Sequence, residues 1–123
     1  MKLEVGMYVR FKDKRGIEYI RKIVNIPEDN RYASLYLDKE ANYSYGLSPK
    51  NVIKASYNII DLIEVGDYVN GLPVTKTSEY FSTHEKYIEL YGTCSNWENE
   101  DIKSIVTKEQ FESMEYRIGD KGK

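Results

Sequence analysis

The residues best placed to do chemistry surround one short turn. Arg10, Lys12, Lys14 and Arg15 lie around positions 13–16, and Arg21 and Lys22 follow on the return segment, interleaved with Tyr8, Phe11 and Tyr19. Cations set among aromatic faces are what a nucleotide or a single nucleic-acid strand requires, because guanidinium groups pair with phosphate and rings stack on bases. In that reading Arg10, Arg15 and Arg21 hold phosphate, while Tyr8, Tyr19 or Trp97 stacks the base. The same residues also suit a solvated hairpin tip whose charges keep an edge strand from pairing with other chains. Taken alone, the cluster favours this plainer account.

Other chemistries find less support. The only histidine, His84, lies between Thr83 and Glu85 in a polar stretch and reads as an exposed loop residue. A nucleophile–base pair with Cys94 needs both side chains within hydrogen-bond reach in a dry cleft, which their spacing does not imply. A single cysteine forms no internal disulfide and no Cys-rich metal site. Glu98, Glu100 and Asp101 lack the spaced oxygens and glycine of a calcium loop. The glycines stand singly, so neither a dinucleotide fingerprint nor a P-loop is present. The expectation is a binding protein without enzymatic activity, cofactor or metal.

Bulk properties narrow the class. Charged residues make up 31% of the 123-residue chain, and no apolar run approaches the roughly 20 residues of a membrane-spanning helix. The first residues lack the apolar stretch of a signal peptide, so the expected location is the cytoplasm, that of the host cell if the gene is phage-encoded. Net charge is −2, which argues against nucleic acid as a partner. The charge is unevenly spread. Residues 1–60 carry 11 Lys and Arg against 7 Asp and Glu, a balance of +4, and residues 61–123 carry 7 against 13, a balance of −6. Opposite fields of this kind favour head-to-tail association or intramolecular docking. Solvated charged faces on both halves would give the same numbers. Twelve tyrosines and Trp97 supply the ring area found in β cores, interfaces and ligand pockets. Trp97, in a polar stretch, is the expected exposed anchor.

These side chains are positioned by a repeat. Leu3-Glu4-Val5-Gly6-Met7-Tyr8-Val9 returns as Ile63-Glu64-Val65-Gly66-Asp67-Tyr68-Val69, with Met7 against Asp67 the one substantial difference. One small β unit used twice explains this. A lone unit of about 60 residues buries only about 60% of its unfolded surface, so the halves should share a core or associate further. Strands are expected at 5–11, 17–26 and 52–56, with turns at 13–16, 27–30 and 48–51. Alternation over 32–38 adds a half-buried strand, and 42–48 a weaker one. The apolar stretch 58–63 is unsuited to a loose linker. Beyond it, strands are expected at 65–69, 74–81 and 87–91, a turn at 71–73, and a polar loop at 92–100. Residues 101–106 are the counterpart of 51–56. Thr107-Lys108-Glu109-Gln110 is a capping box opening a two-turn helix with Phe111 and Met114 on one face. A last strand at 115–118 precedes a frayed end. The predicted fold is mainly β: two tandem SH3-like barrel units, 1–60 and 61–123, packed together, with one short C-terminal helix.

Residues 58–71 and 101–111 resemble a widespread group of small proteins without an established function, encoded by phages and prophages of Firmicutes bacteria. The likeness covers about fifty residues of the C-terminal part; 12–50 and 75–100 do not share it. In that group the ends recur and the middle varies. The resemblance implies a phage accessory protein and a role in counter-defence; small phage proteins of other families sequester nucleotide immune signals as oligomers. The leading expectation is therefore a homo-oligomer that sequesters a small nucleotide between subunits. The alternative is a protein inhibitor that docks Trp97 and its acidic half on a host nuclease or another host protein.

Overall fold

Each half of the chain opens on the same bent turn. Gly6 and Gly66 have φ of 97° and 100°, a region that side-chain-bearing residues rarely occupy. Gly6 N–H donates to the Ile23 carbonyl and Gly66 N–H to that of Val74, at 2.9 and 3.0 Å. Ile23 and Val74 in turn donate to the carbonyls of Met7 and Asp67. The repeated heptapeptide is thus one backbone structure made twice. Because the turn occupies residues 5 and 6, the first strand starts three residues later than the sequence implies.

The computed structural model describes residues 2–26, 35–38 and 48–114. Within them run β1 (Tyr8–Lys12), β2 (Glu18–Asn25), β3 (Tyr36–Leu37), β4 (Val52–Ser56), β5 (Tyr68–Val69), β6 (Leu72–Glu79), β7 (Lys86–Leu90), β8 (Asn96–Trp97), β9 (Ile105–Val106) and a helix, α1 (Lys108–Met114). The strands form two antiparallel sheets, ordered β3-β2-β1-β4 and β8-β7-β6-β5-β9. In both, the strand after the glycine turn is flanked by the next strand and by one that follows a 3₁₀ turn. Tyr8 and Val9 face Ser56 and Ala55, and Tyr68 and Val69 face Val106 and Ile105. The 3₁₀ turns Pro49–Asn51 and Asn99–Asp101 lead into this closing segment in each half.

Each sheet covers its own core. Val9, Phe11, Ile23 and Leu35 form the first, and Val69, Val74, Ile88 and Leu90 form the second. Residues 59–62 form a third 3₁₀ turn, and Ile60 and Ile63 are buried in the second core, so the connection is packed. The expected turn at 71–73 lies one residue earlier: Asn70 and Gly71 take positive φ, and Leu72 and Pro73 already belong to β6. The polar loop at 92–100 contains β8 and a 3₁₀ turn. The capping box forms as expected, with Gln110 N–H donating to Thr107 Oγ1 and Thr107 N–H to Gln110 Oε1, at 3.1 and 3.3 Å. The turn at 27–30, residues 32–34 of the alternating segment 32–38, residues 42–47 of the weaker strand at 42–48 and the segment 115–123 lie outside the described residues.

Candidate functional site

Arg10 sits on β1 with no exposed surface, because its strand lies between β2 and β4 and its side chain points at the other half. Its guanidinium grips Asp67, also fully buried, through two parallel bonds of 2.6 and 3.1 Å. Nε donates to Glu18 Oε1 at 2.5 Å and Nη1 to the Leu62 carbonyl at 3.1 Å. Glu64 and Glu109 each bring a carboxylate oxygen within 3.6 Å of Nη2. Burial opposes the charge on Arg10, but the hydrogen bonds it donates to Asp67 and Glu18 outweigh it and hold its pKa above the usual arginine value. Glu64 is held below the usual carboxylate range: burial works against this, and the hydrogen bond from Lys54 and the charge of Arg10 prevail. Asp67 further accepts from the backbone N–H of Glu64 at 2.8 Å and of Lys108 at 3.2 Å. One guanidinium therefore ties together β1, β2, the connection and α1. Its donors are spent within the chain, so it is a brace and not a surface phosphate ligand.

The other expected binding residues separate. Arg15 is exposed at the hairpin tip, paired with Asp13 at 3.0 Å and bonded to the Tyr19 hydroxyl at 2.9 Å. Tyr19 stacks on Phe11 with ring centroids 5.7 Å apart. Trp97 is half-buried, packs against the second core and donates its indole N–H to Thr93. It is not the exposed anchor that its polar neighbours implied, since the hydrophobic ring side folds under β7. Of the expected residues, Tyr8 and Arg21 line a shared cavity.

That cavity is a groove of about 670 Å³ between the two sheets. Tyr8, Arg21 and Lys22 line it from the first half, and Lys103, Ser104 and Gln110 from the second; Ile20, Ile102 and Ile105 make its apolar part. The Lys22 ammonium lies 5.7 Å from the Tyr8 ring centroid. Arg21 lies over the Tyr19 ring at 5.5 Å, donates to its neighbour's carbonyl, and keeps a buried Nε without a hydrogen-bond partner among the described residues. The Lys103 ammonium donates to the neutral Glu100 carbonyl. Among the described residues, none of these three cations forms an ion pair, and the one lining carboxylate, Asp38, accepts from the backbone N–H of Lys22. A smaller cavity of about 400 Å³ has the opposite character, with Asp61, Glu85, Glu98 and Glu100 around His84 and Lys86.

Lys103 and Ser104 carried no signal in the sequence and Gln110 only that of a helix cap, because they enter the groove only when the second sheet docks on the first. Lys22 belonged to the basic cluster. Among the described residues no group of three or more His, Cys, Asp or Glu side chains is arranged to hold a metal, and no helix is long and apolar enough to cross a membrane. No family model, curated protein or solved structure matches the chain.

Proposed function

We propose that this chain is a non-enzymatic binding protein that holds a small phosphate-bearing ligand, of mononucleotide or cyclic-nucleotide class, in the groove between its sheets. One observation carries the reading: Arg21, Lys22 and Lys103 line one groove without carboxylate partners among the described residues, beside an aromatic ring and an apolar wall, in a chain whose net charge is −2. The volume falls within the range of about 300–1,000 Å³ typical of small-molecule sites. The cations supply charge-assisted bonds to phosphate, and Tyr8 supplies a face for the base. The resemblance to phage proteins fits a counter-defence role in which such a signal is sequestered in the host cytoplasm. The strand order β9-β5-β6-β7-β8, with a 3₁₀ turn before its last strand, supports reading each half as an SH3-like unit, a scaffold that by itself specifies no ligand.

Isothermal calorimetry against mononucleotides, cyclic nucleotides and cyclic ADP-ribose isomers tests the reading. At least one member is expected to bind, and Arg21→Gln should weaken it by about tenfold or more, the loss of one charge-assisted bond. A flat heat across the panel overturns it.

A further inference from the structure

Phe81 is 97% exposed, the most exposed apolar side chain among the described residues, where the next highest is Tyr91 at 68%. It is not on a loose loop. Phe81 stands at the apex of the β6–β7 hairpin, whose turn is closed by Tyr80 N–H to the Glu85 carbonyl and His84 N–H to the Tyr80 carbonyl, both at 2.9 Å. His84 takes φ of 62° to complete that turn. Below it, the Tyr80 and Tyr87 rings pack with centroids 4.7 Å apart, and the Tyr80 hydroxyl bonds to Glu98. A rigid tip that presents a bare aromatic ring to water has already met the ordering cost of binding. Two carboxylates stand at the base of the tip: Glu79 ends β6 opposite Lys86, its carboxylate 3.4 Å from His84, and Glu85 closes the turn beside Tyr80.

The groove of the same chain has the complementary character, apolar along Ile20, Ile102 and Ile105 and cationic at Arg21, Lys22 and Lys103. We infer that the groove of one copy receives the β6–β7 tip of a second copy, with Phe81 against the apolar wall and Glu79 and Glu85 facing the cations. The inference rests on the ligand reading in one respect: the tip carboxylates and a ligand phosphate draw on the same cations, so tip and ligand compete for the groove. The contact is heterologous, tip to groove, so it propagates as a ring or an open chain, and not as a symmetric dimer. A hairpin tip buries less than the roughly 800 Å² per partner of a standard interface, so association is weak and concentration-dependent.

Sedimentation of the full chain from micromolar to millimolar concentration, with and without a mononucleotide, tests this. The wild type is expected to exceed the 14.4 kDa of one chain as concentration rises. Phe81→Ser and the pair Glu79→Lys/Glu85→Lys should remain single chains with unchanged far-ultraviolet dichroism. Adding Arg21→Glu/Lys103→Glu to the reversed tip should restore association, because the charges match again. A wild type that stays at the mass of one chain under all conditions overturns the inference, as does a Phe81→Ser chain that associates normally. Association that needs Phe81 but ignores the charge swap places the tip on another surface and overturns the groove as its seat. Calorimetry on Phe81→Ser separates the two readings. Nucleotide heat that is retained or stronger leaves the groove as a ligand site, while a flat wild-type heat with intact association removes the ligand alone.

Discussion

Arg10 shows how far a residue's role depends on what it meets. In the sequence it belongs with five other cations around a turn; in the fold it is the one that faces inward, because alternation on β1 turns it to the other half. Its partner Asp67 occupies the single position where the repeated heptapeptides differ substantially, and its counterpart Met7 packs against the first core. The departure from the repeat is thus the contact that joins the repeats, and it was visible as a mismatch before its purpose was. Removing one member of a buried pair strands the other's charge, at a cost of about 3–5 kcal/mol, whereas replacing both by apolar groups is often tolerated. Arg10→Met is expected to lose about that much stability by urea unfolding. Arg10→Met/Asp67→Leu should recover a large part of it, a coupling of at least about 1 kcal/mol. Single variants that each lie within about 0.5 kcal/mol of wild type would show that the pair braces nothing.

At the level of elements, α1 depends on a residue the sequence marked only as a cap. A helix of two turns is not stable on its own. Thr107 is fully buried; its hydroxyl accepts from Gln110 N–H and donates to the Glu18 carbonyl at 2.5 Å, fastening the helix to β2 of the other half. Phe111 completes the attachment by stacking on Tyr68 at 4.1 Å. Thr107→Val keeps the shape but removes the acceptor for the helix and the donor to the strand. It is expected to cost about 1–2 kcal/mol, the scale of a lost cap, in urea unfolding. Thr107→Ser should retain most of it, and a valine variant as stable as wild type would dismiss the double role. The capping box was legible because its geometry is local. The Glu18 contact spans 89 positions and was not.

On the scale of the whole molecule, the charge imbalance between the halves is converted into an interface. Arg10 from the basic half lies among Glu64, Asp67 and Glu109 from the acidic one, and Lys54 pairs with Glu64 at 2.9 Å. Glu64 has its pKa lowered by folding, so it stabilises the fold above the unfolded glutamate value of about 4.3 and loses that contribution as pH falls through its folded value. The difference in urea midpoint between wild type and Glu64→Gln should accordingly close as pH is lowered from neutrality to below about 4. A difference that stays constant would remove Glu64 from the interface energetics. Composition and local pattern were sufficient for the β class, the repeated heptapeptide, the turn at 48–51, the packed connection and the helix cap, because each depends on residues close together in the chain. Which cations are buried and which line the groove were decided only by docking one sheet on the other. Those outcomes depend on burial between positions some fifty residues apart, and no local pattern encodes the partner that a side chain meets at that distance.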